Sequence, residues 1–248
     1  MPSYDVVISA RNEERTIGGV IAAAREARGV GDVIVVDDHS TDTTREAAAA
    51  AGARVVTSRG REDKAQAMAT GVAASSSRIQ VFFDGDILNV QPQHFEGLAQ
   101  PIIEGPYVLS CGLVDYGFRN RLFLRLPPIT GLRAVRRDIF EAIPPEKLRG
   151  FQIEIMINEV VARGGMPCTI RVLSGAGHLT KLRKEGLRKG LPQHLRMTVE
   201  LLDCFRFVPL WTYWSYLKHL DVLCSTEDMK RVPLRNTLSE QTDFIPET

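Results

Sequence analysis

What most constrains this chain is a unit repeated through its first half: a short run of β-branched and apolar residues, then an Ala-rich or amphipathic stretch. Residues 5–10, 32–37, 53–57 and 78–83 read as strands, and the stretches between them as helices. Runs such as Val33-Ile34-Val35-Val36 and Val81-Phe82-Phe83 do not alternate polar with apolar, so both faces of each strand must be covered. Helices on both sides of a mainly parallel sheet meet that demand, and an α/β, doubly wound fold is predicted. After Pro101 the pattern predicts a strand at 107–113, a turn-rich stretch through Pro127-Pro128, a helix over 151–163, a strand at 169–173 and a loop at 175–178. A basic segment at 181–189 and a long apolar, aromatic helical region from about 194 to 223 follow, interrupted near Pro209. One domain over 1–225 is expected, built from parts at 1–100, 101–190 and 191–225, with a polar tail at 226–248.

Charge and cysteine usage remove whole classes of function. Lys and Arg number 31 against 30 Asp and Glu, so no global field gathers nucleic acid or an anionic bilayer, and any anion site is local. Cys111, Cys168, Cys204 and Cys224 form no CxxC pair, which argues against structural zinc and a disulfide scaffold and favours reduced thiols. The first residues lack the basic start and apolar stretch of a secretion signal, and no run is long enough to span a bilayer, so a cytoplasmic location is expected. The aromatic stretch from Leu201 to Leu217 has two readings. It packs on the sheet or on a second subunit of a homodimer, or it lies at a membrane surface with Arg196, Arg206 and Lys218 toward headgroups.

In a doubly wound sheet the loops beyond the carboxyl ends of the strands carry the chemistry. Here they read Ala10-Arg11-Asn12-Glu13-Glu14, Asp37-Asp38-His39-Ser40-Thr41-Asp42 and Asp84-Gly85-Asp86. Asp84 and Asp86 leave an apolar strand together, and hard oxygen ligands so placed suit Mg²⁺ or Mn²⁺ bridging a diphosphate; the alternative is a plain turn. Asp37 and Asp38 repel unless a donor meets them, and a nucleobase is one such donor, with Asn12 and Glu13 or Glu14 reaching a ribose. Glu13 and Glu14 are equally read as favourable charges in a first helical turn.

The series VVISARNEERTI, VIVVDDHSTDTT, a basic loop at Arg59 to Lys64, then VFFDGD, resembles glycosyltransferase family 2 of the GT-A fold over roughly the first hundred residues. The resemblance implies a site for a UDP- or GDP-sugar. Ala10, Asn12, Glu14 and Asp38 would lie near base and ribose, Lys64 near sugar or phosphate, and Asp84 and Asp86 around a divalent metal. Gly150-Phe151-Gln152-Ile153-Glu154 resembles the GFQxE segment of polyprenyl-phosphate glycosyltransferases, and Thr130-Gly131-Leu132-Arg133-Ala134 resembles their SGxRA-like acceptor segment, which implicates Thr130, Gly131 and Arg133. His178 resembles a late histidine that completes the metal shell in several GT-A enzymes. Leu88 stands where those polyprenyl enzymes carry Gln. Asp86-Ile87-Leu88-Asn89 is similar instead to glucosyl-3-phosphoglycerate synthases, which are retaining.

These residues predict a metal-dependent transfer of sugar to a hydroxyl or phosphate acceptor, with inversion as the expected outcome. Asp86 is the expected direct metal ligand, with Asp84 reaching the metal through water or sugar hydroxyls. For an inverting reaction Glu154 is the expected base, its apolar neighbours Phe151, Ile153, Ile155 and Met156 raising its pKa, with Glu159 as the spare. With a phosphate acceptor Glu154 would position rather than deprotonate. A retaining transferase, a sugar nucleotidyltransferase and a catalytically silent nucleotide-binding protein are the alternatives. The acids of the first loop speak against a triphosphate. The run Lys181, Arg183, Lys184, Arg188 and Lys189 closes over a diphosphate or is a solvated face.

Overall fold

A computed structural model describes residues 3–115, 120, 124, 128–148, 150–178, 210–223 and 231–233. The first half follows the strict alternation β1 (Tyr4–Ala10), α1 (Ile17–Glu26), β2 (Val30–Asp37), α2 (Thr44–Ala50), β3 (Arg54–Thr57), α3 (Lys64–Ala74), β4 (Ile79–Asp84). The chain continues through β5 (Ile87–Leu88), α4 (Pro92–Glu104), β6 (Leu109–Val114), β7 (Arg133–Arg136), α5 (Arg137–Glu141), α6 (Ile153–Arg163), β8 (Cys168–Leu173), β9 (Gly177–His178), α7 (Leu210–Lys218), β10 (Leu220–Leu223) and β11 (Arg231–Pro233).

Among the described residues nine strands form one sheet in the order β11-β10-β8-β6-β7-β4-β1-β2-β3, with β5 and β9 making a separate ribbon. Only the pairings of β7 and β11 are antiparallel within the large sheet, so it is mainly parallel as the unalternated strands require. Side chains of successive strand residues enter opposite layers. Val7, Ile34, Val36 and Phe82 pack with α3, α5, α6 and Tyr216 of α7, whereas Val6, Ile8, Val35, Val81 and Phe83 pack with α1 and α4. Each of these buried aliphatic and aromatic side chains contributes roughly 1.5–3 kcal/mol. Helix α3 lies so close to β1 that a β-carbon at Gly71 would collide with Val7, so the first residue of α3 is held firmly at the sheet's carboxyl edge.

The latter half departs from expectation in three places. Residues 220–223 do not continue a helix: Leu220, Val222 and Leu223 are buried in β10, which lies parallel to β8, and a short apolar run satisfies either period until its packing partner is known. Residues 177–178 are a strand of the small ribbon rather than plain loop. Arg231–Pro233, within the stretch read as tail, pair with β10 at the sheet edge. Among the described residues no helix is long and apolar enough to cross a membrane. Tyr216 is buried while Trp214 is 68% exposed. Cys111 and Cys168 are buried free thiols. The basic segment at 181–189, Arg196, residues 201–207, Cys204, Cys224 and the rest of the tail lie outside the described residues.

Candidate active site

Strand β1 sits between β2 and β4, and the chain builds outward through β2 and β3 before returning to β4 on the other side. Such a switch opens a crevice beyond the carboxyl ends of β1 and β4. The register makes those ends flush, since Ala10 pairs with Asp37 and Ser9 with Asp84. The non-glycine residues with positive φ among those described, Asn12 (53°), His39 (56°), Glu62 (56°) and Asn89 (56°), all lie in loops at this edge. Backbone in that region costs energy, and its confinement to one edge marks where tight loop geometry is enforced.

Two of these loops are stapled together. Asn12 Oδ1 accepts from the Thr41 amide at 2.8 Å, and the Asn12 amide donates to Ser40 Oγ at 3.1 Å. Glu14 Oε2 accepts from the Thr43 amide and hydroxyl at 3.1 and 2.6 Å, and these bonds hold its pKa below the ordinary value. Glu13 contributes its amide, donating to Thr44 Oγ1 at 2.7 Å. The Glu14 carboxylate thus satisfies the start of α2 across the crevice, while the Glu13 carbonyl accepts from the Thr16 and Ile17 amides at the start of α1. Asp37 is buried and accepts from the Ser40 amide, with Arg45 3.8 Å away. Asp38 accepts from the Glu62 amide at 2.9 Å, yet burial raises its pKa above the usual carboxylate value. Its own amide donates to Ala10 O at 2.9 Å, which brings Ala10 and Asp38 to one point.

Beside this slot three charged side chains converge. Lys64 Nζ lies 3.3 Å from Asp84 Oδ1 and 3.0 Å from Glu154 Oε1, and the lysine is only 16% exposed. Burial opposes its charge, but the two carboxylates outweigh burial and raise its pKa. Asp63 caps α3, accepting from the Gln66 amide at 3.1 Å, and the same Oδ1 accepts from the Gly150 amide at 2.9 Å. Gln66 Nε2 donates to Leu148 O at 2.8 Å. One N-cap therefore fixes Lys64 and delivers the segment leading to Glu154 in the first turn of α6. Gly131 closes the triangle. Arg133 pairs with Phe82 across the antiparallel β4–β7 ladder, so Gly131 arrives over Asp84. A β-carbon there would collide with Lys64 Nζ and come within 2.7 Å of Asp84 Oδ2. Glu154 is 4% exposed, and its Oε2 has no hydrogen-bond partner among the described residues. An orphaned buried carboxylate oxygen beside an ammonium invites a hydroxyl donor.

On the far side of Asp84, the DxD turn continues into β5, whose Ile87 pairs with His178 of β9. The ribbon carries the main chain of His178 to the residue following Asp86. Asp84 and Asp86 on this turn are hard oxygen donors of the kind that suits Mg²⁺ or Mn²⁺, and the side chain of His178 lies outside the described residues. His94, in α4, ties this ribbon down: its Nδ1 accepts from the Gln91 amide at 3.1 Å and its Nε2 contacts Ser174 O at 3.1 Å.

Several expectations change. Glu154 does not stand in purely apolar company, because the Lys64 ammonium faces it. Glu159 is no spare base: it pairs with Arg163 at 2.7 Å and lies 3.9 Å from Lys147, away from the crevice. Five residues along a helix turn a side chain by about 140°, so Glu154 and Glu159 could never share a face. Arg133 does not present its guanidinium to a ligand; it is wholly buried and turned toward α6. Thr130 spends its hydroxyl on Gly112 O at 2.9 Å. The sequence reading passed over Asp63 and Asn158; the first is signalled by an acid one residue before a helix, the second by nothing short of the fold.

Residues 5–160 match the profile of the family described as Glycosyl transferase family 2. Glucosyl-3-phosphoglycerate synthase of Mycobacterium tuberculosis is 38% identical over 195 residues, covering 63% of this chain and 60% of the relative. Its counterpart from Mycolicibacterium paratuberculosis is 38% identical over 112 residues, 42% of this chain and 34% of that one. The chain thus spans less than two thirds of the length of these curated relatives. The crystal structure of the Mycobacterium tuberculosis enzyme with Mn²⁺, UDP-glucose and phosphoglyceric acid superposes with a TM-score of 0.61 at 29% identity, covering 71% of each chain. A profile match over more than half its length, on a sheet of the GT-A kind, places the chain in glycosyl transferase family 2.

Proposed function

We propose that the chain transfers glucose from UDP-glucose to the hydroxyl of a small phosphorylated acid of the phosphoglycerate type. One observation carries this reading: Lys64 is shared between Asp84 and Glu154 beneath a side-chain-free Gly131, with Glu154 Oε2 left for a ligand. A pocket of that kind, acid-lined and floored by a glycine, suits a ring bearing several hydroxyls. Asp38 and the Ala10 carbonyl edge line the slot for the base. Asn12 and Glu14 hold that slot open by joining its two loops.

Asp84, Asp86 and His178 would hold Mg²⁺ or Mn²⁺, which supplies Lewis-acid stabilisation of the departing diphosphate. Lys64 adds a second cation on the sugar side, where negative charge develops on the leaving phosphate. Glu154 accepts a hydrogen bond from a sugar hydroxyl through Oε2 while Oε1 stays on the Lys64 ammonium, so it orients the ring. With Oε1 held on Lys64 and Oε2 turned to the sugar, Glu154 is used in holding the ring and not in taking the acceptor's proton, and retention of anomeric configuration is the outcome we infer.

Incubation with UDP-glucose, 3-phosphoglycerate and Mn²⁺, followed by NMR of the product, tests the reading. An α-linked glucosyl phosphoglycerate is expected, and Asp86→Ala should abolish it. Transfer from a different nucleotide sugar with none from UDP-glucose would refute the donor assignment, and a β-linked product would refute retention.

A further inference from the structure

We propose that Arg133 is a positioning residue that sets Gly131 and Glu154 against Lys64 as a single unit, touching neither donor nor acceptor. The inference rests on the reading of the Lys64, Asp84 and Glu154 triangle given above. Arg133 begins β7 with 0% exposure, and its hydrogen bonds run to carbonyl and amide oxygens of two segments. Nε and Nη2 both donate to Thr130 O, at 2.8 and 2.5 Å. Nη1 donates to Glu154 O at 3.2 Å and to Asn158 Oδ1 at 3.5 Å. Asn158 in turn donates through Nδ2 to Pro128 O at 3.0 Å. One planar cation and one amide therefore lock residues 128–130 onto the first turns of α6.

Burying a cation is costly, and an apolar side chain would fill the same volume without that cost. What the guanidinium adds is direction, because its donors leave in a fixed fork and address both segments at once. Those two segments hold the parts of the site with least tolerance. Gly131 directly follows Thr130 and admits no side chain against Lys64 and Asp84. Glu154 supplies the main-chain oxygen that Arg133 binds and the carboxylate that meets Lys64. A lysine at 133 keeps the charge but cannot address Thr130 O with two parallel N–H groups.

The experiment is a double-mutant cycle of Arg133→Met and Arg133→Lys with Glu154→Gln. It reads UDP affinity and the kcat and KM of transfer from UDP-glucose with Mn²⁺. UDP affinity and donor KM are expected within about 3-fold of the parent, while kcat falls on the order of 30-fold for Arg133→Met and less for Arg133→Lys. In the Glu154→Gln background the same changes should lower kcat by less than about 3-fold, since the group being placed is gone. Equal losses in both backgrounds, or an unchanged kcat, would overturn the proposal. If Arg133→Met does not fold, Arg133→Lys carries the same cycle with the same refuting outcomes.

A readout independent of substrate is the ¹³Cε signal of Lys64, which Arg133→Lys should shift through displacement of Glu154; an unchanged signal sinks the proposal. Should Lys64→Ala and Glu154→Gln leave transfer intact, the functional reading fails. Should they abolish it while the Arg133 variants behave as parent, only the positioning role fails.

Discussion

Asp5 and Glu154 are each 4% exposed, yet they occupy opposite edges of one sheet and live in opposite circumstances. Asp5, near the amino end of β1, accepts from the Asp32 amide at 2.9 Å, Ser75 Oγ at 2.7 Å and the Ser76 and Ser77 amides at 3.2 Å each. Glu154, at the carboxyl edge, has one oxygen on Lys64 and the other on nothing described. Burial alone does not separate structural acids from functional ones. Satisfaction does: a closed set of donors stabilises the fold, and an open valence waits for a ligand.

The sharpest way to break this contrast is to remove each acid. Asp5→Ala takes the acceptor from four donors, of which only the Ser77 amide keeps a second partner among the described residues, in Ser75 Oγ, and should lower unfolding free energy by roughly 3–5 kcal/mol in a denaturant titration, leaving kcat per folded molecule unchanged. Loss of kcat without loss of stability would erase the distinction. Glu154→Gln should do the reverse, costing on the order of 100-fold in kcat, about 2.7 kcal/mol, with little change in melting temperature. Gly131→Ala comes next. Its methyl group must displace the Lys64 ammonium, at a cost of about 1–3 kcal/mol in stability together with a loss of transfer, so it falls between the two classes.

The smallest effect is a pH dependence. Burial holds the His94 pKa below its ordinary value of 6.5, outweighing its contact with Ser174 O. The folded chain therefore refuses a proton that the unfolded chain accepts. Stability from His94 is fully present above pH 6.5 and declines as pH falls below it. Melting temperature should drop between pH 7 and pH 5, with earlier hydrogen exchange in the ribbon of β5 and β9. A flat profile across that window would show that His94 does not hold the ribbon.

The sequence disclosed one edge of the sheet far better than the other half of the cleft. Strands β1 to β4 were legible because helices on both faces demand unbroken apolar runs, and their terminal acids follow from where each run stops. Lys64 was visible as a basic residue at a helix start, but its burial between two carboxylates depends on Gly131 arriving from β7. That arrival is set by an antiparallel register which no local pattern encodes. Strand β10 was hidden because Leu220-Asp221-Val222-Leu223 fits the end of an apolar helix equally well. Arg133 read as a ligand contact because the resemblance locates a residue along the chain and says nothing of where its side chain turns.

The shared acceptor at Asp63 has a consequence for how the molecule comes apart. A single carboxylate oxygen receives the amides of Gln66 and Gly150, residues from the two halves of the cleft. Neither half can loosen there without stripping the other of its bond. Deuterium uptake at those two amides should therefore rise in step, so that this seam melts cooperatively and donor and acceptor walls are lost together.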